Sequence, residues 1–147
     1  MTDTAQRSRT TARRGSYLAG ALLDLTLLVL INVSPGWTAV PVLTSAAADV
    51  VVAVDIALAV ALVVNLLCLA HPRQPLTAVG DVVSTTAGLV AVARVLQVFP
   101  FTFADSTTDW ATITRLTLVS IIVVVSIALL VQLVVLVRVL VLGPKRG

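Results

Sequence analysis

The sequence predicts an all-α membrane protein, a bundle of four transmembrane helices arranged as two antiparallel hairpins. Hydrophobic residues make up 59% of the chain and charged residues only 12%, which is far from the composition of a soluble domain. The apolar residues also fall into four runs, at about residues 17–33, 46–70, 76–98 and 113–142. Each run is near or above the ~20 residues that a helix needs to cross the hydrocarbon of a bilayer.

The segments outside the four spans are too short for a soluble domain, which needs at least ~50 residues. Residues 1–15 are polar and lack apolar periodicity, so we expect a disordered basic tail whose arginines contact anionic lipid headgroups. The bundle is then expected over residues 16–142, and residues 143–147 form a short second tail.

The basic residues predict the orientation in the membrane. The links between spans one and two and between spans three and four contain no Lys or Arg. By the positive-inside rule, both termini are expected in the cytoplasm, and the protein is expected to be a multi-pass protein of the cell (plasma) membrane. The basic residues outside the spans are Arg7, Arg9, Arg13, Arg14, Arg73, Lys145 and Arg146.

Proline and polar residues mark the helix ends. Pro35 follows the first span and cannot continue a helix. Thr44 or Ser45 is expected to cap the second helix, and Thr108 or Asp109 the fourth, because their side-chain oxygens can accept from free backbone amides. The short link after the second span makes spans two and three antiparallel neighbours.

Five of the six aromatic residues lie in or beside the links expected outside the cell. They fit an interfacial aromatic belt, and the alternative is a lid or a docking surface for a partner. These residues are Trp37, Phe99, Phe101, Phe103 and Trp110.

Small residues predict where helices pack, because helices in lipid associate through close backbone approach. One stripe in span two and one in span three recur at helical spacing, and we expect them to face each other. The first is Ala53, Ala57, Ala61 and Asn65, and the second is Gly80, Ser84, Ala87, Ala91 and Arg94.

Five charged residues inside the spans are the candidate functional or ion-pair residues: Asp24, Asp55, Asp81, Arg94 and Arg115. Each costs at least ~2.5 kcal/mol to insert, so each needs an explanation. Asp55 can pair with Arg94 or Arg115 and locate the helices. Alternatively, these three line an outer polar cavity in which Asp55 binds a cation or the arginines bind an anionic group.

Asp24 is the stronger functional candidate, because no basic residue lies at its depth and low dielectric favours the protonated, proton-carrying form. The competing account is structural. In it, Asp24 hydrogen-bonds to Asn65, Ser126 or Gln132, and Gly20 one turn earlier admits the neighbouring helix.

Several classes of function are not indicated. Cys68 is the only cysteine and His71 the only histidine, which makes a disulfide impossible within the chain and a metal site unfavourable. No phosphate loop, nucleophile elbow or zinc protease motif is present. We therefore expect no enzyme, no catalytic residue, no cofactor and no bound metal, and a basic surface that suits lipid rather than nucleic acid.

Residues 32–37 (NVSPGW) and 98–103 (VFPFTF), followed by Trp110, resemble the signature of uncharacterised small four-span membrane proteins of high-GC bacteria. The resemblance covers most of the chain. It implies a four-helix protein of the bacterial inner membrane, and it implies no activity, ligand or catalytic residue.

Two functional hypotheses follow from these patterns. The first is a structural or accessory subunit of a membrane assembly, which contacts the lipid bilayer and docks a protein partner or a second copy of itself. The second is a small transporter or channel, in which Asp24 is the coupling carboxylate and Asp55, Arg94 and Arg115 line an outer polar path.

Overall fold

The computed structural model describes residues 2–104 and 107–143, and side chains from residue 11 onward. A 3-10 helix, Trp37–Ala39, lies in the first link, and the described residues contain no β-structure beyond one isolated bridge. The predicted all-α fold class is confirmed. The four helices are α1 Thr2–Asn32, α2 Ala47–Ala70, α3 Gln74–Val98 and α4 Trp110–Leu142.

All four helices are long and apolar enough to cross a membrane, as judged by length and composition. In α1 the candidate span is Thr11–Asn32, and the other three spans coincide with their helices. The longest helix, α4, has 33 residues and therefore extends about 50 Å at 1.5 Å per residue. Because the hydrocarbon is only ~30 Å thick, α4 must tilt or project beyond it.

The N-terminal segment differs from the expectation of disorder over residues 1–15, because α1 begins at Thr2. The composition predicts that this segment cannot bury apolar surface. That is a statement about packing and not about helix formation. A helix that a membrane span has already nucleated can elongate without packing, and the Ala, Arg and Gln residues of this segment are good helix formers. At the other end, only Gly143 of the expected tail over residues 143–147 is among the described residues.

The helices pack in chain order, α1 with α2, α2 with α3, and α3 with α4. With this up-and-down order, the described start of α1 and the described end of α4 lie at one end of the bundle. We call it the terminal end, and it also holds the turn at residues 71–73. The opposite end, with the links at residues 33–46 and 99–109, is the loop end.

Small side chains occupy the interior, and large apolar side chains face outward, as expected for helices packed in lipid. The helix α4 has no buried residue, because only one of its sides lies against α3. The buried apolar residues are Ala21, Ala47, Val50, Ala57, Cys68, Ala78 and Ala91.

The helices α2 and α3 approach each other closely at Gly80. A Cβ at Gly80 would lie 2.7 Å from Val64 Cγ1 and 3.3 Å from Cys68 Sγ, so only glycine lets the helices meet there without displacement. The small residue in span three therefore marks a packing face, as predicted. The prediction that Asn65 belongs to the opposing face is wrong, because Asn65 turns toward α1.

Backbone hydrogen bonds join the two hairpins at the loop end. Leu43 lies opposite Phe101 in an antiparallel bridge. The Thr44 amide donates to the Pro100 carbonyl, and the Thr102 amide donates to the Val42 carbonyl, both at 2.9 Å. We call residues 42–44 and 100–102 the loop cap, since they tie the link after α1 to the link after α3.

The helix caps agree with the sequence at α4 and differ at α2. Asp109 accepts from the Thr112 amide at 3.0 Å and from the Thr112 hydroxyl at 2.6 Å, and these bonds lower the pKa of the Asp109 carboxyl. The expected side-chain cap of α2 by Thr44 or Ser45 is wrong. Ala46 holds the cap position without a side-chain bond, because the carbonyls of Thr44 and Ser45 accept from the first amides instead.

Candidate functional site

Two hydrogen bonds between carboxylates and amides join α1 to α2. Asn65 Nδ2 of α2 donates to Asp24 Oδ2 of α1 at 2.9 Å. Asn32 Nδ2 of α1 donates to Asp55 Oδ1 of α2 at 2.8 Å. Each helix contributes one acid and one amide. Because the helices are antiparallel, the two pairs lie at two different depths and hold the helices together at both.

The Asp24 pair is the buried one, since Asp24 is only 9% exposed. A Cβ at Gly20 would lie 2.8 Å from Asn65 Nδ2, so the absence of a side chain at Gly20 makes room for the amide. Of the three partners considered for Asp24, the structure places Asn65 beside it. Gln132 lies in α4 instead, where its Oε1 is buried and has no hydrogen-bond partner among the described residues.

The Asp55 pair lies nearer the loop end. Asn32 also donates to the Leu28 carbonyl, at 3.1 Å, which fixes the amide at the end of α1. Within the described part of the chain, Asp55 meets this amide and no guanidinium of Arg94 or Arg115. The ion pair considered from the sequence is therefore replaced by a pair of an acid with a neutral group.

Arg115 contacts an aromatic ring at the loop end. Its guanidinium carbon lies 4.5 Å from the centroid of the Phe99 ring, which is cation–π geometry. Phe99 packs edge-on against Phe101 at 5.5 Å, and Phe101 stacks on Phe103 at 6.3 Å. The charge of Arg115 thus fastens the start of α4 to the end of α3, while Arg94 is exposed on α3.

The cavity at the loop end is not lined by the three charged residues considered for an outer polar path, Asp55, Arg94 and Arg115. This cavity of about 170 Å³ lies between the helices. The described residues that line it present apolar surface to it, so it suits an apolar group and not an ion. Its lining includes Ile31, Trp37, Leu43, Val54, Val95 and Phe101.

Side chains from three helices meet near the terminal end. Asp81 of α3 lies close enough to Tyr17 of α1 and Cys68 of α2 to interact electrostatically, and Arg13 is near the same carboxyl. Cys68 is 1% exposed, so its thiol packs as a small apolar group. Over residues 2–104 and 107–143, no three His, Cys, Asp or Glu side chains come together as metal ligands.

Comparison with protein-family models, with curated proteins and with solved structures gives no match. The resemblance of residues 32–37 and 98–103 to small four-span membrane proteins of high-GC bacteria stays a prediction. Function is accordingly inferred from the geometry of this chain's own side chains.

Proposed function

We propose that this integral membrane protein is a structural or accessory subunit of an assembly in the bacterial cell membrane. The observation that carries the proposal is how Asp24 of α1 and Asp55 of α2 are bonded. Asp24 and Asp55 each bond to an amide of the neighbouring helix. Polar groups in lipid commonly hold helices together in this way, and a scaffold needs nothing more from them.

One surface of the chain, the helix α4 with Trp110 at its start, is available for a partner protein or a second copy. The helix α4 has no buried residue along its length, and its many exposed apolar side chains can pack against another helix or against lipid. Trp110 at its start is 45% exposed and is the type of residue that anchors interfaces. We place the partner at α4 and Trp110.

We further propose that the terminal end faces the cytoplasm. The exposed Arg13, Arg14, Arg73 and Arg138 all lie at that end. Arg138 adds to the basic residues that the positive-inside rule counts, because its position in the last turns of α4 brings it to the same membrane face. An accumulation of arginine at one face supports a cytoplasmic location by the positive-inside rule.

The test is the mass of the intact complex after gentle extraction from native membranes. We expect a second component at fixed stoichiometry, either another protein or another copy. We also expect Trp110→Ala to release it, whereas Val33→Ala should not, because Val33 is 74% exposed in the link after α1 and does not belong to α4. A monomer in the wild type, or equal loss in both variants, would contradict the proposal.

The second candidate function is a small transporter or channel. Asp24 favours it, because this acid is only 9% exposed and its partner among the described residues is a neutral amide and not a cation. In this case Asp24→Asn abolishes proton flux into liposomes, measured with an internal pH dye. The control is Asp49→Asn, at an exposed acid of the loop end. Equal flux in wild type, both variants and empty liposomes would sink the transport hypothesis.

A further inference from the structure

A cavity of about 130 Å³ lies at the terminal end, lined by Arg13, Arg14, Tyr17, Pro72 and Thr77. Its volume is well above the about 10–15 Å³ that one water molecule needs. Its lining residues include two arginines and two residues with hydroxyl groups, and guanidinium groups are the side chains that recognise a phosphate through paired hydrogen bonds. We propose that this cavity, which we call the arginine pocket, binds the phosphate group of an anionic phospholipid.

The hydroxyl groups form a fixed wall of the arginine pocket. Thr77 is 8% exposed, and its Oγ1 donates to the Gln74 carbonyl at 3.0 Å. Tyr17 lies close enough to hydrogen-bond with the Thr77 side chain. Because the Thr77 proton is committed to that carbonyl, the hydroxyl donor left for a phosphate is that of Tyr17, and the arginines supply the charge.

The net charge around the pocket is positive. Arg13 and Arg14 are both exposed, and Asp81 is the acid that lies close to Arg13. Two guanidinium groups against one carboxylate leave one positive charge for an incoming anion. A guanidinium can bind a phosphate through two parallel hydrogen bonds, which gives it geometric selectivity as well as charge.

The position of the pocket favours a lipid over a free ion. Tyr17 lies at the start of the apolar part of α1, and Pro72 lies in the turn between α2 and α3, so the pocket is at the depth where headgroups meet water. Leu18 and Leu22 are 49% and 57% exposed. They follow Arg14 at helical spacing on one face, where the acyl chains of a lipid held at Arg14 can lie.

The experiment uses the full chain, purified in detergent, stripped of lipid and titrated with phosphatidylglycerol or phosphatidylcholine under native mass spectrometry. We expect one phosphatidylglycerol to bind per chain, in preference to phosphatidylcholine. Arg13→Gln with Arg14→Gln should weaken that binding at least about tenfold, because charge-assisted hydrogen bonds are lost. Both arginines are exposed, so circular dichroism should show an unchanged helix content.

The matched control is Arg7→Gln with Arg9→Gln, which removes the same charge from the same N-terminal segment. Its effect should stay below about threefold, because both positions precede Arg13 by at least one turn of α1 and charge alone is screened by salt. Equal weakening by both double variants would mean diffuse attraction and would overturn the proposal. A third titration with inorganic phosphate separates the two sources of the anion. If inorganic phosphate binds as tightly as phosphatidylglycerol, the pocket is a site for a free ion, and the proposal of a lipid site is overturned.

Discussion

The amide of Asn65 lies against two residues of α1 that are one helical turn apart. Its Nδ2 atom donates to Asp24 Oδ2 at 2.9 Å and would lie 2.8 Å from a Cβ placed on Gly20. The buried acid therefore has its partner only because the turn before it lacks a side chain. The glycine at position 20 is therefore needed for the hydrogen bond that Asp24 accepts inside the membrane.

We expect Gly20→Ala to destabilise the protein. The new methyl group displaces the Asn65 amide and breaks its bond to Asp24, and an unsatisfied buried polar group costs about 1–3 kcal/mol. Replacing a helical glycine by alanine returns only about 0.5–1 kcal/mol. The free energy of unfolding, measured by circular dichroism during titration with a denaturing detergent, should therefore fall.

Gly88→Ala is the matched control, because nothing lies within 4 Å of a Cβ at Gly88 in the middle of α3. It should leave the stability unchanged or raise it by up to about 1 kcal/mol. If the two alanine variants shift the unfolding free energy equally, Gly20 is not making room for Asn65.

A second prediction concerns the contact between α2 and α3. Gly80→Ala would place a methyl group 2.7 Å from Val64 Cγ1, and overpacking of this kind costs about 1–3 kcal/mol. Val64→Ala removes that atom, so Gly80→Ala should cost less in the Val64→Ala background. A double-mutant cycle on the unfolding free energy measures the coupling. Additive effects of the two substitutions would show that the helices do not meet at this point.

A third prediction concerns the pH dependence of α4. Hydrogen bonds from Thr112 hold the pKa of Asp109 below its usual value. The stabilisation is therefore complete at pH values above the unfolded-state pKa, about 3.9, and is lost as the pH falls through the lower folded-state pKa. Helix content followed from pH 6 to pH 2 should fall more steeply in the wild type than in Asp109→Asn. Parallel curves for the two proteins would show that the Asp109 cap is not the source of the pH dependence.

The sequence was sufficient for the four helices because the length of an apolar run is a local property. Runs near residues 46–70 and 76–98 became α2 and α3 with ends only a few residues away. The helical start at Thr2 was missed, since helix elongation depends on a neighbour that is already helical and not on the composition of the segment alone.

The pairing of polar side chains was harder to predict, because it depends on the rotation of each helix about its own axis. One residue turns a helix by about 100°, so a small error in rotation exchanges one partner for another. Asn65 was assigned to the face toward α3 and lies toward α1. Asp55 was matched with an arginine by charge, whereas Asn32 reaches it at 2.8 Å.

The last prediction tests the loop cap with a disulfide. Leu43 and Phe101 face each other between the bonds of Thr44 to Pro100 and of Thr102 to Val42. This is the closely spaced type of antiparallel pair, with Cα atoms about 4.5 Å apart, which suits a disulfide. Leu43→Cys with Phe101→Cys, in a Cys68→Ala background, should therefore oxidise readily, as an intact mass lower by two hydrogens. The control is Val40→Cys with Phe101→Cys in the same background, because Val40 is exposed and does not lie opposite Phe101. Equal oxidation of the two cysteine pairs would mean that the hairpins are not joined at Leu43 and Phe101.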